Sequence, residues 1–209
     1  MRVHIAAAWL VACFALAPGA SAAVTGNPEA GKAQAAACGA CHGQDGATPL
    51  DPTYPVLAGQ NERYLKHQLQ LIQTDARQIP LMAGQLNGKS EQDLADLAAF
   101  YASLPAKVGQ AQGDDETLAR AERLYRGGDL QKGVAACIAC HGPSGRGNAP
   151  AGFPMVSGQA VGYTKKQLTE YREGRRNSDE SYGAMMRGVA ARLTDTEIAA
   201  LAEYLHGLH

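Results

Sequence analysis

Apolar residues recur at helical spacing in two stretches of this chain that mirror each other. Leu94, Leu97, Ala98 and Tyr101 fall at i, i+3, i+4 and i+7, and so do Ile198, Leu201, Ala202 and Leu205. Each set lies along one face of a helix that must turn it inward. Ser90-x-x-Asp93 and Thr194-x-x-Glu197 stand just ahead of them as capping boxes, the first with Asp in place of the usual Glu. A further helix is expected where Leu65, Leu69 and Ile72 share a face. Asn27-Pro28 reads as N-cap and first position of an opening helix that runs toward Cys38. The acidic cluster Asp114, Asp115 and Glu116 opens its counterpart through Tyr125, before Gly127-Gly128 interrupts it.

These elements belong to a tandem duplication. Tyr54-Pro55-Val56-Leu57-Ala58-Gly59-Gln60 recurs as Phe153-Pro154-Met155-Val156-Ser157-Gly158-Gln159, shifted by 99 positions. The same shift carries Tyr64, Lys66, Gln68 and Leu69 onto Tyr163, Lys165, Gln167 and Leu168. Residues 105–113 lack periodicity and carry Pro, Gly and Gln, which marks a linker. The expected organisation is all-α, with two helical domains in series at 23–104 and 114–209. Residues 1–22 read as a secretory signal: Arg2 and His4 open it, Ile5 to Ala17 is apolar, and Ala20-Ser21-Ala22 offers small residues for cleavage. Leu10-Val11-Ala12-Cys13 resembles a lipoprotein cleavage box, but the apolar stretch continues past it. Beyond residue 23 no run approaches the ~20 apolar residues of a membrane helix.

Chemistry enters with Cys38-Gly39-Ala40-Cys41-His42 and Cys137-Ile138-Ala139-Cys140-His141, again 99 residues apart. Cys-x-x-Cys-His reads as a c-type haem attachment site: two thiols one helical turn apart can bond one porphyrin's two vinyl groups while the adjacent imidazole reaches its iron. Zinc motifs place their cysteine pairs about 15 to 20 residues apart, far closer than here. With the signal removed, Cys38, Cys41, Cys137 and Cys140 are the only cysteines left, so no thiol remains for a structural disulfide. Aromatic residues are only 6% of the chain, leaving each half little bulk for a core. Two covalently bound haem c groups would supply that apolar mass, one per domain. The loops at 43–52 and 142–150 are rich in Gly and Pro, suited to wrapping a flat cofactor or to plain surface turns. Pro55 and Pro154, thirteen residues after their histidines, either offer a carbonyl to the imidazole N–H or simply stiffen the loop.

What fills the far side of each iron separates a carrier from an enzyme. Apart from the initiator, the first half contains one methionine, Met82. Aligning the terminal helices shifts the register to 104 and sets Met186 on Met82 and Met185 on Leu81. The expected axial pairs are therefore His42 with Met82 and His141 with Met186, with Met185 a minor alternative to Met186; Met155 and Met185 are otherwise expected in the core. His67, His206 and His209 have no repeat counterparts and read as exposed helix or tail positions. The change of shift implies five extra residues between the middle helix and Met186.

These features resemble the dihaem cytochrome c4 family over essentially the whole mature chain. The Met186-Arg187-Gly188-Val189-Ala190-Ala191-Arg192-Leu193 stretch is the most specific. The resemblance implies two cytochrome c-like domains, each wrapped around one haem, with His42, Met82, His141 and Met186 as iron ligands. It also implies a periplasmic carrier, often membrane-associated, that passes electrons from a respiratory donor toward a terminal oxidase. Alternatives are the haem subunit of a flavin-containing, sulfide-oxidising dehydrogenase and, more remotely, a dihaem peroxidase. A peroxidase needs an open iron with acid–base groups beside it, and no such asymmetry is visible. Charge differs between the halves, minus three over 23–104 against plus one over 105–209, enough to orient docking on charged redox partners. Lys165, Lys166, Arg172, Arg175 and Arg176 form either a candidate docking surface or, as the commoner case, a solvated helix face. A chain so near neutrality carries no nucleic-acid signature.

Overall fold

The structure, a computed structural model, describes residues 24–209; the expected signal segment, with Cys13, lies outside them. The first half contains α1 (Pro28–Gln34), α2 (Ala36–His42), α3 (Glu62–Gln73) and α4 (Glu91–Ser103). The second contains α5 (Asp115–Gly127), α6 (Ile138–His141), α7 (Val161–Arg172), α8 (Met185–Ala190) and α9 (Asp195–Gly207). The described residues form no strand, only the isolated bridges Asp129–Val134 and Asn148–Phe153. The fold is all-α.

Each half is built on its terminal helix. Helix α4 packs against α1 and α3, and α9 against α5 and α7. Both terminal helices start at the expected capping boxes, in which the Ser90 and Thr194 hydroxyls accept from the Asp93 and Glu197 amides. Their apolar stripes are buried in full. In the first half α1 can lie close to α4 because Gly31 has no Cβ: one built there would sit 2.0 Å from the Asp96 carbonyl oxygen. Asn27 caps α1 as expected, accepting from the amides of Glu29 and Ala30. The opening helix does not run unbroken to the cysteines, however. It turns at Ala35, whose amide reaches back only three residues to Lys32, and resumes as α2.

A reciprocal clamp joins the halves. The Gln60 side chain accepts from the Met155 amide and donates to the Met155 carbonyl, each at 2.8 Å. Gln159 does the same to Val56, at 2.7 and 3.0 Å. Both pairs obey the repeat shift of 99, so the two halves face each other about a pseudo-twofold relation. Residues 105–113 run across this junction. Gly59 and Gly158 are the repeat-related glycines beneath them, with φ of +71° and +67°; a Cβ there would lie 2.6 Å from the Ala106 side chain and 2.0 Å from the Lys107 carbonyl oxygen. Positive φ and close backbone approach both require glycine here.

Candidate functional site

Helix α2 sets Cys38 and Cys41 three residues apart and ends on His42. In the second half Cys137 holds helical dihedrals as N-cap of the single turn α6, which ends on His141. The four thiols form no disulfide, and Cys41 is exposed. Burial pushes the Cys137 thiol up to about 11. Both histidines are buried. Their Nδ1 atoms lie 3.0 Å from the Pro55 carbonyl oxygen and 2.9 Å from that of Pro154. A carbonyl can only accept, so each Nδ1 carries the proton and each Nε2 keeps its lone pair. Burial depresses both imidazole pKa values, against the opposing pull of these hydrogen bonds, and so favours the neutral ring. Of the two readings left open for Pro55 and Pro154, the structure shows the carbonyl acceptor.

Met82 ends a short 3-10 turn (Pro80–Met82) and is half-buried. Its loop is tied back by Gln73, whose Nε2 donates to the Leu86 and Lys89 carbonyls at 2.9 and 2.8 Å. Met186 is the second residue of α8 and packs, with Cys137, Ile138 and Leu168, against the core around Tyr125, Leu193 and Leu201. Its segment is tied differently. The buried Asp179 accepts from the Arg187 amide at 2.9 Å and from Arg187 Nε at 2.8 Å. The extra residues of the second half fall after Arg176, where they form this anchor and the 3-10 turn Glu180–Tyr182.

Met155 is buried as expected, but Met185 is 41% exposed and Leu81 69%. Neither Met185 nor Leu81 joins the core clusters of the polypeptide. The expected basic docking surface is also not present as such. Arg172 pairs with Asp195, Arg175 with Glu173, and Arg176 is buried, leaving Lys165 and Lys166 exposed. His67 is half-buried with an unpartnered Nε2. His206 Nδ1 donates to the Gln159 carbonyl at 2.9 Å. Sequence reasoning passed over Gln60, Gln159, Arg77 and Arg176 as interface residues, although the shift of 99 relates each pair.

The donors fit a haem. Each half offers two thiols one turn apart, a neutral buried imidazole with Nε2 free, and a core cluster that includes the first cysteine of the motif. Two such units in tandem define a c-type cytochrome with duplicated domains.

The sequence profile of the cytochrome c family matches residues 28–105 and 126–209. The chain is 48% identical to cytochrome c4 of Pseudomonas aeruginosa over 184 residues, 88% of this chain and 90% of that protein. It is 36% identical to the thiosulfate dehydrogenase electron acceptor of Thiomonas intermedia over 206 residues, 98% of this chain and 90% of that protein. The crystal structure of reduced cytochrome c4 from Pseudomonas stutzeri superposes with a TM-score of 0.84 at 45% identity, covering 88% of this chain and 100% of that one. The chain belongs to the dihaem cytochrome c4 family, whose members are electron-transfer proteins and not enzymes.

Proposed function

We propose that each half, 23–104 and 114–209, holds one haem c, and that the protein carries electrons in the periplasm between respiratory-chain components, toward a terminal oxidase. When bound, the haem supplies an iron that alternates between ferric and ferrous. Cys38 and Cys41 hold the first haem through thioethers, and Cys137 and Cys140 the second. His42 and His141 would ligate the iron through Nε2, and Met82 and Met186 through their thioether sulfurs. The observation that carries this reading is the repeated imidazole–proline hydrogen bond, which fixes the tautomer needed for ligation in both halves. Thioether ligation would raise the reduction potential, as suits an electron carrier. Among the described residues no helix is long and apolar enough to cross a membrane.

An alkaline pyridine spectrum with an intact mass tests the haem count. Met82→Ala and Met186→Ala are each expected to lower the potential of their own haem and alter its visible spectrum; an unchanged spectrum and potential would remove that ligand. A second reading places the protein downstream of a thiosulfate-oxidising dehydrogenase, because two curated relatives carry the name thiosulfate dehydrogenase electron acceptor. Rapid reduction of the oxidised protein by thiosulfate and such a dehydrogenase, with no reduction by a quinol-oxidising complex, would favour it.

A further inference from the structure

Two arginines are buried where the halves meet, Arg77 at 7% exposure and Arg176 at 5%. The repeat shift of 99 relates them, and their backbones are fixed alike: the Arg77 amide donates to the Leu71 carbonyl and the Arg176 amide to that of Glu170, the repeat equivalent. Their side chains converge on the same two oxygens. Gln68 Oε1 accepts from Arg77 Nη1 at 2.7 Å and Arg176 Nη2 at 3.2 Å. Gln167 Oε1 accepts from Arg77 Nη2 at 2.8 Å and Arg176 Nη1 at 2.7 Å. Each cation also reaches a tyrosine of the opposite half, Arg77 to Tyr163 at 3.1 Å and Arg176 to Tyr64 at 2.9 Å.

None of these partners is a carboxylate. Among the described residues neither guanidinium forms an ion pair with a carboxylate. Glu170 joins the network only through Gln167 Nε2, at 3.0 Å. Burying one cation without an anion is costly, and seating two on shared acceptors adds their mutual repulsion. The neighbouring phenol registers the surplus charge. Burial alone would raise the Tyr163 pKa, but Arg77 and Arg176 outweigh it and bring the group below its ordinary value. An anion from outside the polypeptide would offset this charge. Haem carries such groups, since each porphyrin bears two propionates.

We propose that Arg77 and Arg176 act as one shared cationic element, pairing with propionates from both halves and raising the reduction potential of both irons together. This rests on the two-haem reading above. Reduction adds one negative charge to a centre, so a fixed cation nearby favours the ferrous form. A buried charge is poorly screened by salt, and its effect spreads through low-dielectric surroundings. Because each guanidinium bonds to residues of both halves, its field is not confined to its own domain. The arginines are positioning residues that set how readily either iron accepts an electron.

The test uses the full holoprotein and two variants, Arg77→Gln, which removes the charge, and Arg77→Lys, which keeps the charge but breaks the fork. Haem content is counted first, then the two one-electron steps are resolved by potentiometric titration. Arg77→Gln is expected to weaken both reduction equilibria about tenfold, ~59 mV per one-electron step. Arg77→Lys is expected to leave both near their original values, even if it shares a loss of thermal stability. A shift confined to one step, no shift, or a Lys variant falling as far as the Gln variant would overturn the proposal. A wild-type protein with fewer than two haems would instead overturn the two-haem reading, and this inference with it.

Discussion

At the scale of single residues, charge placement at the helix starts decides the response to acid. Glu197 closes the capping box of α9 and also pairs with Lys132. Burial alone would raise its pKa, but Lys132 and the Thr194 amide and hydroxyl outweigh it and depress the value. Asp93 is likewise depressed by the Ser90 hydroxyl and amide at the start of α4. A carboxylate with a lowered folded pKa stabilises the fold above its unfolded value, about 4.3 for Glu and 3.9 for Asp. That contribution is lost as the pH falls through the folded value, because protons then bind the unfolded chain first and the folded chain afterwards. Glu197→Gln keeps the shape of the box and removes the charge. It is expected to cost about 0.5–1 kcal/mol at pH 7. Thermal melts from pH 7 to pH 2 should show the two proteins converging at the acid end. A gap that stays constant over this range would mean that the charge contributes nothing.

At the scale of elements, the two methionine segments are held by different means, although they occupy equivalent places. The first relies on one glutamine, Gln73, bonding two carbonyls. The second relies on Asp179, which fixes the start of α8 through Arg187 and accepts the Ala184 amide on its own carbonyl. Ala184 sits at φ +58°, a conformation that costs a non-glycine residue about 1–2 kcal/mol and needs such an anchor. Asp179→Ala should therefore release the Met186 segment selectively. The expected stability loss is smaller than that of a fully buried pair, because Arg187 remains partly in water. Denaturant unfolding measures that loss, and potentiometry should show the second haem's potential falling while the first stays put. Equal changes at both would contradict the selective anchor. Much of this architecture was legible in the sequence, because helix periodicity, capping boxes and Cys-x-x-Cys-His are local signals. Exposure was not: the apolar match between Leu81 and Met185 looks the same whether the turn faces core or solvent. Arg176 looked like part of a basic surface for a similar reason. Its burial depends on Gln68 and Tyr64, more than a hundred residues away, and no local pattern records such a contact.

At the scale of the whole molecule, the clamp between the halves is a long-range feature of the same kind, and its energetics can be separated from those of each domain. Gln60 and Gln159 together satisfy the amide and carbonyl groups of Val56 and Met155 in a buried setting. Replacing either by Leu leaves two amides and one carbonyl without partners, because the Gln60 and Gln159 oxygens also accept from the Asn61 and Ala160 amides, at about 1–3 kcal/mol for each buried group. Replacing both removes four hydrogen bonds across the junction, together with the local bonds to the Asn61 and Ala160 amides at the starts of α3 and α7, and leaves the apolar core of each half in place. What survives includes the arginine network, the Asn61 bonds to the Phe153 and Arg146 carbonyls, the Arg63 bond to the Pro150 carbonyl and the Tyr163 amide bond to the Pro52 carbonyl. Two domains unfold as one cooperative unit only while their shared interface is worth more than the difference between their separate stabilities. Calorimetry of the wild-type holoprotein should accordingly give a single transition, and Gln60→Leu/Gln159→Leu should give two. The midpoint of the less stable half should fall first, since it loses the support of its neighbour. A double variant that still melted in one transition, only at lower temperature, would show that the arginine network and the strap at 105–113 suffice to couple the halves, and the clamp would then be an orienting device and not the source of cooperativity.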